Sequence, residues 1–208
     1  MTPDYFQTRY TFNKGRKEVW KAIYQYLSRY ISPQSSVLEL GSGYCDFINN
    51  INARSKVAID IDENSKQYCD PAVTFLNMKA TEMEFAENTF DVVLASNLFE
   101  HLNDSDLEIL TSKIYKSLKQ EGKLILIQPN YYYAYRTYWD DFTHIKAFSH
   151  ISLTDFLITR GFKIVITEKK SLPFSFKSVL PKSYYITKLY LKSFWRPFAK
   201  QMLIIAEK

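Results

Sequence analysis

Two glycines at alternate positions, Gly41 and Gly43, follow the apolar run Val37-Leu38-Glu39-Leu40 and precede Asp46-Phe47-Ile48. Glycine in such a place lets the backbone turn sharply and approach a ligand with no Cβ in between. A strand, a tight loop and a helix start of this kind make a nucleotide-type site. The chain holds 5 glycines in 208 residues, so the pair is not the by-product of a glycine-rich chain. Read as G-x-G-x-x-G from Gly41, the motif puts Asp46 in its last position. A carboxylate there would repel a pyrophosphate, which argues against NAD or FAD. Asp60 closes the run Lys56-Val57-Ala58-Ile59-Asp60, 17 residues past Gly43, near the spacing of about 20 at which an acid accepts hydrogen bonds from ribose hydroxyls. Asp62 is the alternative, less well placed because it already lies in the following turn.

A second group of reactive side chains comes later. Tyr131, Tyr132, Tyr133, Tyr135, Tyr138 and Trp139 precede Asp140-Asp141-Phe142-Thr143-His144. Aromatic walls exclude water and pack against a ring or sugar, while His144, oriented by Asp140 or Asp141, could take a proton from a hydroxyl. The plain alternative is a packed lid with His144 a satisfied loop residue. Cys45 and Cys69 have no metal-ligand spacing, so no metal site is expected.

Positioning these groups needs an alternating series of strands and helices. Val19, Trp20, Ile23, Tyr24, Leu27 and Tyr30 recur at three- and four-residue spacing and predict a helix over Gly15 to Tyr30, ended by Ser32-Pro33. Short apolar runs predict strands at Val37–Leu40, Lys56–Asp60, Val73–Leu76, Phe162–Ile166 and Gln201–Ala206, a further strand within Asn88–Asn97, and a turn followed by a strand over Leu118–Ile127. Asp104 or Ser105 would cap a helix carrying Leu107, Leu110, Ile114, Tyr115 and Leu118. Ser152 to Arg160 reads as a further helix with Gly161 after its end. Strands alternating with helices imply a mostly parallel, doubly wound sheet.

At Glu39-Leu40-Gly41-Ser42-Gly43 the chain resembles the class I S-adenosylmethionine-dependent methyltransferases, whose first motif is E/D-x-G-x-G-x-G; Cys45 stands in the third glycine's place. S-adenosylmethionine has an adenosine, no phosphate and a cationic sulfonium, so an acidic loop suits it. Asn88-Thr89-Phe90-Asp91-Val92-Val93 resembles the family's fourth-strand motif, where Asp91 would structure the start of the strand. Glu100-His101-Leu102 is a triplet frequent in the family, and Leu118-Lys119-Gln120-Glu121-Gly122-Lys123-Leu124 resembles its L-K-P-G-G-x-L turn with Pro and one Gly replaced. The resemblance runs from about residue 12 to the end. It implies a Rossmann-like, seven-stranded sheet with helices on both faces and an antiparallel last strand.

Cofactor contacts are then implied for Glu39, Gly41, Ser42 and Gly43, for Asp60 and Ile61, for Ala80 and Thr81 beside the adenine, and for Ser96, Asn97 and His101. His144, Asp140 and Asp141 lie where methyl acceptors bind in the family. Ser96 to Leu102, Gln128-Pro129-Asn130 and Tyr138-Trp139-Asp140 resemble a bacterial subgroup associated with surface-polysaccharide synthesis. The expected activity is O-methylation of a small-molecule, glycan or lipid-linked acceptor. Competing readings are a dehydrogenase, a non-catalytic cofactor-binding partner protein, and a nucleic-acid methyltransferase. The last is not favoured, because Gln128-Pro129-Asn130-Tyr131 matches the N/D-P-P-Y/F tetrapeptide only in part.

Length and composition set the frame. A chain of 208 residues with 46% hydrophobic content suits one domain: a helical cap over 1–32, a cofactor-binding core over 33–168, a basic aromatic insertion over 169–199 and a last strand over 200–208. The start Met1-Thr2-Pro3-Asp4-Tyr5-Phe6 lacks a signal-peptide pattern, and no apolar run approaches the roughly 20 residues of a membrane span, so a reduced, cytoplasmic protein is expected. The net charge of +5 is uneven: Lys169 to Ala206 carries +8 and no acid, leaving −3 elsewhere. A helix over Lys182 to Trp195, within a basic stretch reaching Lys200, would combine aromatic and basic residues, as interfacial helices on anionic membranes do. Peripheral contact with the inner membrane face is one expectation; a solvated helix packed on its own domain is the other.

Overall fold

The computed structural model describes residues 15–173 and 182–208. The first 14 residues of the expected cap, and Lys177 and Pro181 of the basic insertion, lie outside the described residues. Seven strands form one sheet: β1 (Ser36–Leu40), β2 (Ser55–Asp60), β3 (Thr74–Asn77), β4 (Phe90–Ser96), β5 (Leu118–Pro129), β6 (Lys163–Glu168) and β7 (Gln201–Glu207). Their order is β3-β2-β1-β4-β5-β7-β6, with β7 antiparallel to both neighbours and the other pairs parallel. The chain winds outward from β1 in one direction and from β4 in the other. The crevice at the carboxyl ends of β1 and β4 is therefore the switch point at which ligands bind in open α/β sheets.

Alternation along the strands supplies two cores. On one face Leu38, Leu40, Val93, Ala95, Leu124 and Leu126 pack with Leu107, Leu110 and Ile114 of α3 (Asp104–Ser117) and Leu153 and Leu157 of α5 (His150–Ile158). On the other, Val37, Val92, Leu94, Ile125 and Ile127 pack with Trp20, Ile23 and Leu27 of α1 (Gly15–Leu27), Phe47 and Ile48 of α2 (Asp46–Asn50), and Leu191 of α6 (Tyr184–Lys192). Successive strand side chains point to opposite faces, so a continuous apolar run such as Val92 to Ala95 serves both. α6 also packs on α1, and a single helical turn, α4 (Tyr131–Ala134), follows β5.

Several local expectations shift. The cap of α3 is Asn103, whose side chain accepts from Asp106 N, where Asp104 or Ser105 was expected. α5 starts at His150 through a Ser149/Ser152 capping box, two residues earlier than the pattern predicts. The turn expected at Leu118 to Gly122 is absorbed into β5 as an irregularity, because Phe90 pairs with Leu118 while Val92 pairs with Lys123. A Cβ on Gly122 would lie 2.8 Å from the Lys119 carbonyl oxygen, so only glycine fits that fold-back. Asp91 fastens this edge: its Oδ2 accepts from Ser36 N at 2.7 Å and from Lys119 Nζ at 2.8 Å.

Candidate active site

The loop after β1 is held by the tip of β2. Gly41 N and Ser42 N both donate to the Ile59 carbonyl oxygen, at 2.9 and 3.1 Å, and Gly43 N donates to Asp60 Oδ2 at 2.6 Å. Gly41 and Gly43 have φ of 67° and 50°. Cys45 has φ 53° and ψ 23°, so it takes the left-handed conformation that the missing third glycine would supply without steric penalty. Its thiol is buried against Ser42 Oγ and the Ser65 carbonyl.

Asp60 is buried, and its Oδ1 accepts from Asp62 N at 2.9 Å. Burial raises its carboxyl pKa, with the Asp62 and Gly43 N–H groups pulling the other way. Asn77, at the end of β3, donates to the carbonyl oxygens of Asp60 and Ile61 at 3.1 and 2.9 Å and pins this tip. The sequence reading passed over Asn77, a polar residue closing an apolar strand. Gly43 N and Asp62 N, with Ile61 N as a weaker third, lie on this carboxylate, and a carboxylate offers about four acceptor positions, so the group keeps acceptor capacity for a ribose hydroxyl. Ile61 is exposed beside it, and Ala80 and Thr81 are half-buried on a 3-10 turn just past β3. This cradle fits an adenosyl group: close backbone approach, carboxylate acceptor capacity for a ribose hydroxyl, and, among the described residues, no lysine or arginine bonded to the Asp60 carboxylate.

Glu39 is buried and its Oε2 accepts from Ile48 N at 3.1 Å, tying β1 to the first turn of α2; burial raises its pKa well above the usual range. Arg16 of α1 reaches the same turn, with Nε 2.8 Å from Asp46 Oδ2 and its guanidinium over the Tyr44 ring. α1 thus covers a sheet face and also braces the loop.

At the tip of β4, Asn97 is left-handed (φ 51°) and accepts from Gln201 Nε2 at 2.7 Å. Its Nδ2 donates to Ser96 Oγ at 3.2 Å. The next residue packs on the cofactor loop, since a Cβ on Gly41 would lie 3.5 Å from Leu98 Cδ1. Glu100 and His101 follow on a 3-10 turn.

The aromatic segment folds back onto that turn. Ile145 N and Lys146 N donate to the Glu100 carbonyl oxygen, and Tyr138, fully buried, donates to the Lys146 carbonyl at 2.6 Å. The rings of His101 and His144 lie 5.0 Å apart, with Tyr138 4.6 Å from His144. His144 Nδ1 is 2.7 Å from the Tyr138 carbonyl oxygen, and His101 Nδ1 is 3.1 Å from the Thr143 carbonyl. A carbonyl only accepts, so both Nδ1 atoms carry a proton, and in the neutral form of each ring Nε2 is the atom that holds the lone pair. Burial lowers the His101 pKa.

Asp141, expected to orient His144, accepts through Oδ1 from Thr143 N and Thr143 Oγ1, at 3.1 and 2.7 Å; that hydroxyl lies 3.0 Å from His101 Nδ1. Its hydrogen-bond path through Thr143 therefore leads to His101. Asp140 is exposed on the 3-10 turn with Trp139. The residue that sequence reading missed is Glu100. It is buried, neither carboxylate oxygen has a hydrogen-bond partner among the described residues, and burial pushes its pKa up to about 8. Its only signal was its place beside His101 at the end of a strand.

Residues 38–126 match the methyltransferase-domain family. The chain is 30% identical over 168 residues to an uncharacterized protein of Methanocaldococcus jannaschii, covering 80% of this chain and 70% of the relative. It is 28% identical over 157 residues to the phosphoethanolamine N-methyltransferase of Plasmodium falciparum, covering 68% of this chain and 58% of that enzyme. A SAM-dependent methyltransferase from Archaeoglobus fulgidus has the same fold, with a TM-score of 0.70 at 22% identity, over 92% of this chain and 94% of that one. These matches coincide with the strand order, the glycine loop and the acid at the β2 tip, and leave the dehydrogenase reading without support. The chain belongs to the class I S-adenosylmethionine-dependent methyltransferases, and S-adenosylmethionine is its cofactor.

Proposed function

We propose that the protein methylates a hydroxyl group of a small-molecule, glycan or lipid-linked acceptor bound beside Glu100, His101 and His144. One observation carries this reading: two imidazoles that each donate through Nδ1 to a backbone carbonyl, which makes Nε2 the basic atom of the neutral ring, share a corner with the buried carboxyl of Glu100. That corner is one turn from Leu98, which packs on the cofactor loop. The cofactor supplies a methyl group on a sulfonium and departs as a neutral thioether. The chain has to hold the acceptor in line with that methyl and receive the hydroxyl proton. Orientation alone can supply much of the rate, and His144 Nε2 is the proton acceptor in this reading. Tyr132, Tyr135, Trp139 and Phe142 are exposed on the segment that folds back to this corner, and aromatic rings of this kind suit a sugar or ring.

An amine acceptor is the second reading, and a relative's name favours it: the Plasmodium enzyme is named for N-methylation of phosphoethanolamine. An amine needs only to be unprotonated, so the histidine pair would have no proton to take. Tritium transfer from methyl-labelled cofactor into pools of nucleotide sugars, polyprenyl-linked glycans and amines separates the two. Label in a hydroxyl-bearing pool supports O-methylation; label confined to amines overturns it.

The basic segment supports a lipid-linked acceptor. Tyr185, Ile186, Leu189, Phe194, Trp195 and Phe198 are exposed on and after α6, next to Lys188 and Lys192. Aromatic and aliphatic side chains interleaved with lysines fit an anionic lipid surface. Arg196 has a different use: it pairs with Glu168 and Tyr26 and fixes this segment to β6 and α1. No helix among the described residues is long and apolar enough to cross a membrane.

A further inference from the structure

A buried carboxyl with no hydrogen-bond partner is costly to keep, because burial strips its water and nothing replaces it. Glu100 is buried with no hydrogen bond to either carboxylate oxygen among the described residues, and His101 Nε2 stands 4.0 Å from its Oε1, beyond hydrogen-bond reach. What surrounds it is not apolar filler: Glu100, His101 and His144 each offer one ligand atom, and those atoms lie within 4.8 Å of one another. Metal-binding histidines nearly always donate their second ring N–H to a carbonyl or carboxylate, which fixes the tautomer and aims the ring. Both histidines have that arrangement through Nδ1, His144 to the Tyr138 carbonyl and His101 to the Thr143 carbonyl. Thr143 is held in turn by Asp141. The result is a one-carboxylate, two-imidazole set with its supporting shell already in place.

We propose that Glu100, His101 and His144 bind a divalent transition-metal ion of the Zn²⁺ or Mn²⁺ kind, with open positions for the acceptor's oxygen atoms. Imidazole with one carboxylate suits such ions, and three protein ligands leave room for more. Charge balance agrees, since one buried carboxylate and one ionised acceptor hydroxyl together match a dication. The use of the ion rests on the hydroxyl-acceptor reading above; its binding does not. In the metal-loaded protein the ion acidifies the hydroxyl and His144 acts as ligand, so the released proton passes to solvent. The O–CH₃ bond forms as the sulfonium C–S bond breaks, and no oxidant or reductant is needed.

The test reads binding. The tag-free full chain, dialysed against chelator and then freed of it, is titrated calorimetrically with Mn²⁺, Zn²⁺ and Co²⁺. The expected result is one saturable site per chain, weakened at least about 100-fold in Glu100→Gln and in His144→Asn. Thermal unfolding of the chelated proteins separates lost ligands from lost fold, because Glu100→Gln should melt no lower than the chelated wild type. Absence of saturable binding by all three ions overturns the proposal, as does equal affinity in wild type and Glu100→Gln. Methyl transfer at full rate by chelated enzyme would remove the ion from the reaction while leaving the hydroxyl-acceptor reading intact.

Discussion

The backbone N–H of Gly43 donates to the Asp60 carboxylate at 2.6 Å, so the glycine loop after β1 and the acidic tip of β2 are a single unit. The same carboxylate fixes the loop, and we propose that it also holds the ribose of the cofactor. Asp60→Ala should therefore weaken cofactor binding by about 1.5 to 3 kcal/mol, the range for hydrogen bonds to a charged group, or roughly ten- to hundred-fold in affinity. An unchanged dissociation constant for S-adenosylhomocysteine in a folded variant would remove Asp60 from the site.

Cys45 gives a sharper test of the loop, because its left-handed backbone reverses an ordinary preference. In a regular helix glycine is worse than alanine by about 1 kcal/mol, but at a positive φ the penalty falls on the residue with a Cβ. Cys45→Gly should thus be at least as stable as Cys45→Ala in chemical denaturation. Both lose the buried thiol, so both fall below wild type. Alanine more stable than glycine would show that the left-handed backbone carries no strain.

Asp91 tests the base of the sheet. The amide of Ser36 and the ammonium of Lys119 hold it, and although burial pushes its pKa up, these partners bring the net value below the ordinary one. A carboxylate with a lowered folded pKa stabilises the protein above its unfolded pKa of about 3.9 and loses that contribution as pH falls through the folded value. Asp91→Asn should cost about 1 kcal/mol near neutral pH, discounted for partial exposure. The gap to wild type should narrow as the pH drops below about 4. A gap that widens towards acid would contradict the assignment.

His144→Gln should leave cofactor affinity alone and lower turnover by about 10²- to 10⁴-fold, the range for a positioned acid or base. Assays with and without chelator then divide its two possible duties: a base acts in both, a ligand only with the ion present. Full turnover in both conditions would take His144 out of the chemistry.

Vesicle co-sedimentation addresses the basic segment. Vesicles rich in anionic lipid should bind the protein more tightly than zwitterionic ones, with binding lost as salt screens the charge. Leu189→Ser combined with Trp195→Ser, both at exposed positions, should weaken it. Equal retention by the two vesicle types would speak for a solvated helix.

Much of the fold could be read from the chain, for physical reasons. Runs such as Val92-Val93-Leu94-Ala95 are buried on both faces, and their apolar continuity marks central parallel strands. The acid at the end of β2 was legible by spacing. Helix starts were less so: Asn103 and Asn130 cap α3 and the single turn Tyr131–Ala134, and such side chains are equally at home in plain loops. Glu100 and His144 were the hardest to join. Forty-four positions separate them, and what brings them together is the packing of Tyr138 and the return of Ile145 and Lys146 to the Glu100 carbonyl. No local pattern encodes such a closure. His144 was found by its residue type and Glu100 was not, because a glutamate carries no sign of burial until its neighbours are known.

Calorimetric titration of the full chain with S-adenosylmethionine and S-adenosylhomocysteine, with NADH as control, tests the central assignment most directly. Micromolar, one-to-one binding of the first two and none of NADH is the predicted result. A folded protein that binds neither, or that binds NADH instead, would contradict the cofactor site built on Gly41, Gly43 and Asp60.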